Sequence, residues 1–519
     1  MLFHEPIFLF IFLPLTLALY LLLRQTARQE TIVIALSAVS LIFYGWWNPR
    51  FVPLIVVSIL FNFLVGRQLQ SRALRAERAQ ILLAVGITIN LALLFLFKYL
   101  AFAIESINTL GIVALPVVKL ELPLGISFFT FLQIAYLVDC WRGQTKETRF
   151  APYFLFVTFF PHLIAGPLIH HREMIPQFSR KAANICEDLS VGLSIFAIGL
   201  FKKLVPAEQM RIWSDSVFDG AAAGIVPTFV ESWVGALCFT FQIYFDFSGY
   251  SDMAIGLSRM FGIRLPVNFA SPYKATNIID FWRCWHITLS RFFRDYLYFP
   301  LGGNRLGAAR RYCNLMIVML LAGLWHGANW KFVLWGGLHG LYLMINHGWQ
   351  NAWRKLGRPR SPLPSWLALG LTFTAVVAAW VPFRADSLNT AVVMLKGMAG
   401  SNGIVLPVHY AGLLGGTLAE ATRFGVSFGA VPAYGGGWQL AWLFACLAFV
   451  WLLPNSQKIM RRYEPVLGAV VIQHPSSLLA RMFTWQPSRL TGVVVGLVTA
   501  YLCFRAIQGQ PGEFIYFQF

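Results

Sequence analysis

The residues best suited to chemistry lie between Asp280 and His347. The stretch begins DFWRCWHITLSRFFRDYLYFPLGGNR, passes a basic turn and an apolar run, and continues GLWHGANWKFVLWGGLHG. Charges, histidines, tryptophans and glycines crowd together here in a chain that is otherwise oily. His286 and His326 are the candidates for proton transfer. Imidazole titrates near neutrality, so it can take a proton from a hydroxyl and return it. A histidine at membrane depth is expensive and is a functional residue by default. The plainer reading of His326 is a packing histidine bonded to a neighbouring carbonyl.

The elements that position these groups follow from periodicity. Phe281, Trp285, Leu289, Phe292 and Tyr296 recur at helical spacing and predict one helix over 280–296 with an apolar stripe. Asp280, Arg283, Arg291 and Arg294 fall on another side, and Asp295 is placed to pair with Arg291 at i, i+4. Each such charge at the bilayer centre costs about 2.5–3.5 kcal/mol. The helix is therefore interfacial, or it lines a water-filled cavity. In 321–340 the glycines Gly323, Gly327, Gly336, Gly337 and Gly340 surround Trp325, His326, Asn329, Trp330 and His339. Small residues let membrane helices approach closely.

Gln242, Asp246, Ser248, Ser251 and Asp252 lie in or just after another apolar run. The two carboxylates suggest a cavity wall, or partners for Arg283 or Arg291. In FFPHLIAGPLIHHREMIPQF, 159–178, His162, His170 and His171 are followed by no acidic ligand pattern, so a Pro-broken re-entrant turn is preferred to a metal site. No metal is expected anywhere. Phosphate-cradling glycine loops, zinc-protease helices and serine nucleophile elbows are absent from the sequence.

Composition sets the solvent. Of 519 residues 57% are hydrophobic and 12% charged, half the charge of a soluble domain. Apolar runs long enough to cross a bilayer occur near 7–23, 31–47, 51–66, 80–102, 123–141, 150–168, 187–205, 228–246, 312–330, 331–349, 366–383, 438–454 and 490–507. They are continuous rather than alternating, which excludes a barrel. The reading is a single polytopic domain over 1–519, an all-α integral membrane protein. The N-terminal run lacks a basic n-region and reads as a retained first span.

The net charge of +19 sits in short loops, which argues for membrane topology and against nucleic acid. Placing Arg67, Arg72, Arg75 and Arg78, then Arg142, Lys146 and Arg149, then Arg354, Lys355, Arg358 and Arg360, then Lys458, Arg461 and Arg462 inside puts the N-terminus outside. Arg172, Arg180 and Lys181 break this pattern unless 169–186 folds back. The Gly-rich segment 384–437 then faces outward. The seven cysteines are scattered without a CxxC, so neither a disulfide framework nor a zinc site is expected.

Several stretches together resemble the membrane-bound O-acyltransferase family, in its branch of bacterial polysaccharide O-acetyltransferases of the alginate type. They are FYGWWNPRF near 43–51, PLGISFFTFLQIAYLVD at 123–139, FFPHLIAGPLI at 159–169 and QIYFDFSGYSDMAIG at 242–256. To these add FWRCWHITLSRFFRDYLYFPLGGNR at 281–305, GLWHGANWKFVLWG at 323–336 and the terminal FIYFQF at 514–519. The resemblance implies about eleven transmembrane helices with re-entrant or interfacial helices, ringed around a buried tunnel. It implies His326 as the essential histidine and His286 as a second catalytic position. Asp280, Trp282, Arg283 and Trp325 match motif positions and are carried over as cavity residues, beside Asn329, Gln242, Asp246 and Ser248.

The expected chemistry is acetyl transfer from a cytoplasmic thioester, acetyl-coenzyme A, to a hydroxyl of an exported polysaccharide such as alginate. No cofactor is bound, and Arg305, Arg310 and Arg311 attract the anionic donor. The setting is the bacterial inner membrane, with its lipid and with periplasmic acetyltransferase proteins as partners. Competing readings are a transporter, a non-catalytic scaffold, and transfer of D-alanine or acetate to teichoic acid or cellulose.

Overall fold

Backbone amides in lipid find partners only within helices or closed barrels, and the described residues are mostly helical. The computed structural model describes all residues except 72–74, 113, 146, 181–183, 358–362, 415–422, 424, 432, 434, 469–482, 510–511, 513 and 516–519. Arg72, Lys146, Lys181, Arg358, Arg360 and the last four residues of FIYFQF lie outside the described residues, as does part of 384–437.

The helices are α1 Leu13–Thr26, α2 Gln29–Gly45, α3 Val52–Leu69, α4 Ala76–Leu94 and, after a π-helical turn at Phe95–Tyr99, α5 Leu100–Asn108. Then come α6 Ile126–Trp141, α7 Phe150–Thr158, α8 Ile185–Lys202, α9 Glu208–Ala222 and α10 Phe229–Met260. The site region supplies α11 Ile278–Cys284, α12 Ile287–Phe293, α13 Gly307–His326 and α14 Trp330–Lys355. The chain continues through α15 Ser365–Arg384, α16 Leu388–Met398, α17 Gly436–Leu452 and α18 Arg489–Gln508. Among the described residues, six helical stretches are long and apolar enough to span a membrane unaided. Others, such as α10, carry polar residues and are buried by their neighbours instead.

Local chemistry sets the ends. Thr228 and Glu231 form a capping box at α10. Asn184, Asn329, Ser387 and Ser488 cap α8, α14, α16 and α18. Between α16 and α17 lies a small parallel pair of strands, Ile404–Pro407 with Val426–Gly429.

Two expectations are corrected here. The single helix predicted over 280–296 is broken at Trp285–His286, because His286 adopts the left-handed conformation (φ 43°, ψ 51°). Asp295 pairs with the adjacent Arg294 at 2.7 Å, while Arg291 reaches Glu173 at 2.6 Å. The re-entrant reading of 159–178 matches the course of the chain: α7 ends at Thr158, and the segment doubles back. Arg172 donates to Gln144 at 3.3 Å, and Gln29 donates to the Phe178 carbonyl at 2.8 Å. Arg172 thereby sits against the basic 142–149 loop at one face, while Lys181 lies outside the described residues. The opposite face carries the 109–125 connection.

The α8–α10 crossing is tight. A Cβ on Gly199 or Gly249 would collide with the facing backbone, as would one on Gly192 or Gly256. Close approach brings Lys202 to Asp252 (2.6 Å) and Lys203 to Asp246 (2.7 Å). Asp252 and Asp246 thus pair with the last residue of α8 and the residue after it, not with Arg283 or Arg291. Asp246 also accepts from the Ile515 amide at 2.9 Å, and Phe514 stacks on Tyr250.

We predict that Gly249→Leu forces α8 and α10 apart. Overpacking of this kind costs about 1–3 kcal/mol or more. The melting midpoint of the detergent-solubilised protein should fall by several degrees, or the protein should not accumulate. Gly496→Leu, on α18 where a Cβ meets nothing, is the control. Equal midpoints for the two variants would sink the packing account.

Candidate active site

Helices α13 and α14 form a hairpin whose tip is Gly327–Asn329. Its close packing needs glycine: a Cβ on Gly323 would meet the Phe332 carbonyl, and one on Gly336 the Met319 carbonyl. Gly337 has ordinary clearance. His326 is the last residue of α13. Its ring is boxed edge-on by Trp325 (4.9 Å between centroids), Trp335 (5.0 Å) and Phe383 (5.3 Å).

His286 reaches the same place from the break between α11 and α12. The ring centroids of His286 and His326 are 6.4 Å apart. One oxygen atom can bridge such a gap, since each hydrogen bond spans about 2.8 Å. Phe247 lies edge-on to His286 at 4.8 Å. The left-handed backbone is what turns the ring inward, at a conformational cost of about 1–2 kcal/mol.

Asn268 holds His286 in place. Thr288 Oγ1 accepts from the Leu168 amide (3.0 Å) and donates to Asn268 Oδ1 (2.9 Å). Asn268 Nδ2 donates to Ser251 (3.2 Å). Its Oδ1 is therefore the acceptor, and His286 Nδ1 at 3.1 Å is the donor. A neutral His286 consequently carries its lone pair on Nε2. The adjacent Ile287 amide bonds the Asn268 carbonyl at 3.0 Å, which fixes the break itself.

His326 and Trp325 form part of the floor of a cavity of about 280 Å³, walled by Trp47, Ser127, Phe128 and the 121–126 strand of chain. It opens on the face of the 109–125 connection, opposite the basic loops. A second cavity of about 430 Å³ lies beside it and is bordered by Asn329, Lys331, Phe332 and Asp386.

The other predicted site residues are distributed as follows. Trp325 borders the first cavity and Asn329 the second. Trp282 packs behind the site, against Trp335 and His339. Asp280 and Arg283 pair with each other at 3.0 Å, with the Arg283 side chain 66% exposed. Gln242, Asp246 and Ser248 are buried along α10 and border neither of these cavities. His162 bonds the Phe156 carbonyl, while His170 and His171 gather with Tyr296 around Asp139.

Sequence reasoning missed Asn268 and Lys98. Asn268 gives no signal in the chain. Lys98 gives one, a lone charge within the apolar run 80–102.

The model of the membrane-bound O-acyltransferase family matches residues 89–362 of this chain. The peptidoglycan O-acetyltransferase of Helicobacter pylori is 42% identical over 78% of this chain and 81% of its own. A probable alginate O-acetylase of Pseudomonas putida is 40% identical over 77% and 80%. The teichoic acid D-alanyltransferase of Streptococcus thermophilus is 25% identical over 50% and 68%.

If the Asn268 bond is what aims His286, then Asn268→Leu, His286→Ala and the double variant should lose turnover together. The loss should be about tenfold or more, with no further loss in the double. Losses that multiply would show that the two residues act independently.

Proposed function

The chain belongs to the membrane-bound O-acyltransferase family, and on that premise we propose that this multi-pass acyltransferase O-acetylates an exported polysaccharide. The observation that carries the reading is the placement of His326. It lies at the floor of a cavity open on the face opposite the basic loops, with His286 one bridging atom away. Basic loops mark the cytoplasmic side of a membrane protein. The cavity then faces the exterior, where an exported polymer is met. That fits the bacterial inner membrane, with polymer and periplasmic acetyltransferase partners on the outer side.

In the proposed step the acceptor hydroxyl enters from the outer cavity. His326 takes its proton as the oxygen attacks the carbonyl carbon of an acetyl thioester, for which acetyl-coenzyme A is the expected donor. The carbonyl electrons move to oxygen. Collapse of the tetrahedral intermediate expels the thiolate, which takes up the proton from His326. An ester forms, a thioester breaks, and the histidine is restored. The Nε2 lone pair of His286 suits it to accept from the hydroxyl, orienting the nucleophile. With Nδ1–H committed to Asn268, neutral His286 has no N–H left for an oxyanion. The ring of tryptophans and phenylalanines keeps bulk water from the thioester. Arg305, Arg310 and Arg311, at the basic end of α13, supply the attraction for an anionic donor.

Relatives named for peptidoglycan and for alginate are about equally similar, so the polymer class is the envelope or exported polysaccharide. The test is alkali-labile acetate in the peptidoglycan and the exopolysaccharide fractions from cells whose sole copy is wild type or His326→Ala. Membrane levels are matched by blot. We expect acetate in one fraction to fall to the deletion level while polymer yield holds. Unchanged acetate in both would remove His326 as general base. Loss of D-alanine instead would move the reading to D-alanyl transfer.

A further inference from the structure

Lys98 belongs to no element of the mechanism above, yet it touches the site more closely than any other cation named so far. It lies in the π-helical turn Phe95–Tyr99 of a 33-residue apolar stretch. Its Nζ donates to the Trp325 carbonyl at 2.6 Å and to the His326 carbonyl at 3.3 Å. The hydroxyl of the next residue, Tyr99, donates to the Leu324 carbonyl at 3.1 Å.

A helix leaves its last carbonyls without intrahelical partners. Here three consecutive ones, ending at His326, are taken by two consecutive side chains. Isolated π turns recur at functional positions in helices. The third neighbour of the ammonium is Ser127 Oγ at 3.4 Å. Its hydrogen-bond partners among the described residues are thus two carbonyls and a hydroxyl, none of them a carboxylate. A half-buried ammonium whose hydrogen-bond partners include no carboxylate is still costly to retain. Lys98 and Leu122 are also the two residues common to both cavities.

We propose that Lys98 is a positioning residue for acyl transfer. It locks the final turn of α13 so that the His326 ring faces the first cavity. It also sets an N–H donor beside the place where the thioester carbonyl oxygen becomes negative. This rests on the acyltransfer reading given above. Both effects act on the transition state more than on donor binding, so they belong in kcat rather than KM.

The test uses membrane vesicles from cells that make the polymer, with the full-length protein at blot-matched levels and radiolabelled acetyl-coenzyme A as the probe. Initial incorporation into polymer is measured against probe concentration for wild type, Lys98→Met, Lys98→Arg and His326→Ala. Lys98→Met should lose about tenfold or more in the maximal rate, with KM for the probe within about threefold of wild type. Lys98→Arg, which keeps charge and donors, should recover most of the rate. A wild-type rate in Lys98→Met would overturn the proposal, as would a loss confined to KM. So would a Lys98→Arg as inactive as the methionine variant at equal abundance and equal melting midpoint. Incorporation by wild type no greater than by His326→Ala would instead reject the underlying donor and general-base reading.

Discussion

Three carbonyls at the end of α13 govern the arrangement of this protein. A helix that stops inside a membrane protein leaves backbone groups that water cannot reach, and each unsatisfied one is expensive. The chain stops α13 at His326 and meets the demand with Lys98 and Tyr99 from another helix, more than 220 positions away in sequence. Ending the helix there frees the histidine from a regular helical surface. The same constraint acts at His286, where the chain leaves its helix in a left-handed conformation and Asn268 takes up the exposed groups. Both histidines thus stand at interruptions of regular structure, each stabilised by a side chain from elsewhere.

Such interruptions need a stiff surround. Glycine contacts between α8 and α10, and within the α13–α14 hairpin, bring backbones to near contact and give the dispersion energy that drives association in lipid. The ion pairs Lys202–Asp252 and Lys203–Asp246 are buried at the first of these crossings. A buried pair gains little net stability, but losing one partner leaves an uncompensated charge and costs about 3–5 kcal/mol. These pairs therefore penalise any slip of α8 along α10. The C-terminal segment adds to the lock by donating the Ile515 amide to Asp246.

The aromatic wall has a different task. Trp285, Trp335 and Trp380 are fully buried, and Trp335 stacks on Trp380 at 5.7 Å while closing the box around His326. Rings offer large, rigid surfaces with few rotamers, so the pocket keeps its shape. A fixed wall of low polarity strengthens every electrostatic contact made against it.

Much of this was legible in the chain. Most apolar runs found a helix because solvent chemistry dictates them locally. The run at 228–246, however, stopped well short of Met260, the run at 150–168 outran a helix that ends at Thr158, and the polar helix Glu208–Ala222 gave no run. His326 stood out as a histidine at membrane depth, and the prolines and glycines of 159–178 marked a turn that reverses. What the chain concealed were the partnerships. Periodicity predicted one helix over 280–296, since apolar spacing cannot register a single residue with positive φ. Asp246 and Asp252 looked like partners for arginines, because opposite charge says nothing about which helices will touch. Asn268 is 18 residues from His286, and Lys98 is 228 from His326. The sequence by itself determined the solvent and the helical class, each a property of neighbouring residues. Only the tertiary structure decided which polar group satisfies which, because that depends on helices meeting across long separations in chain.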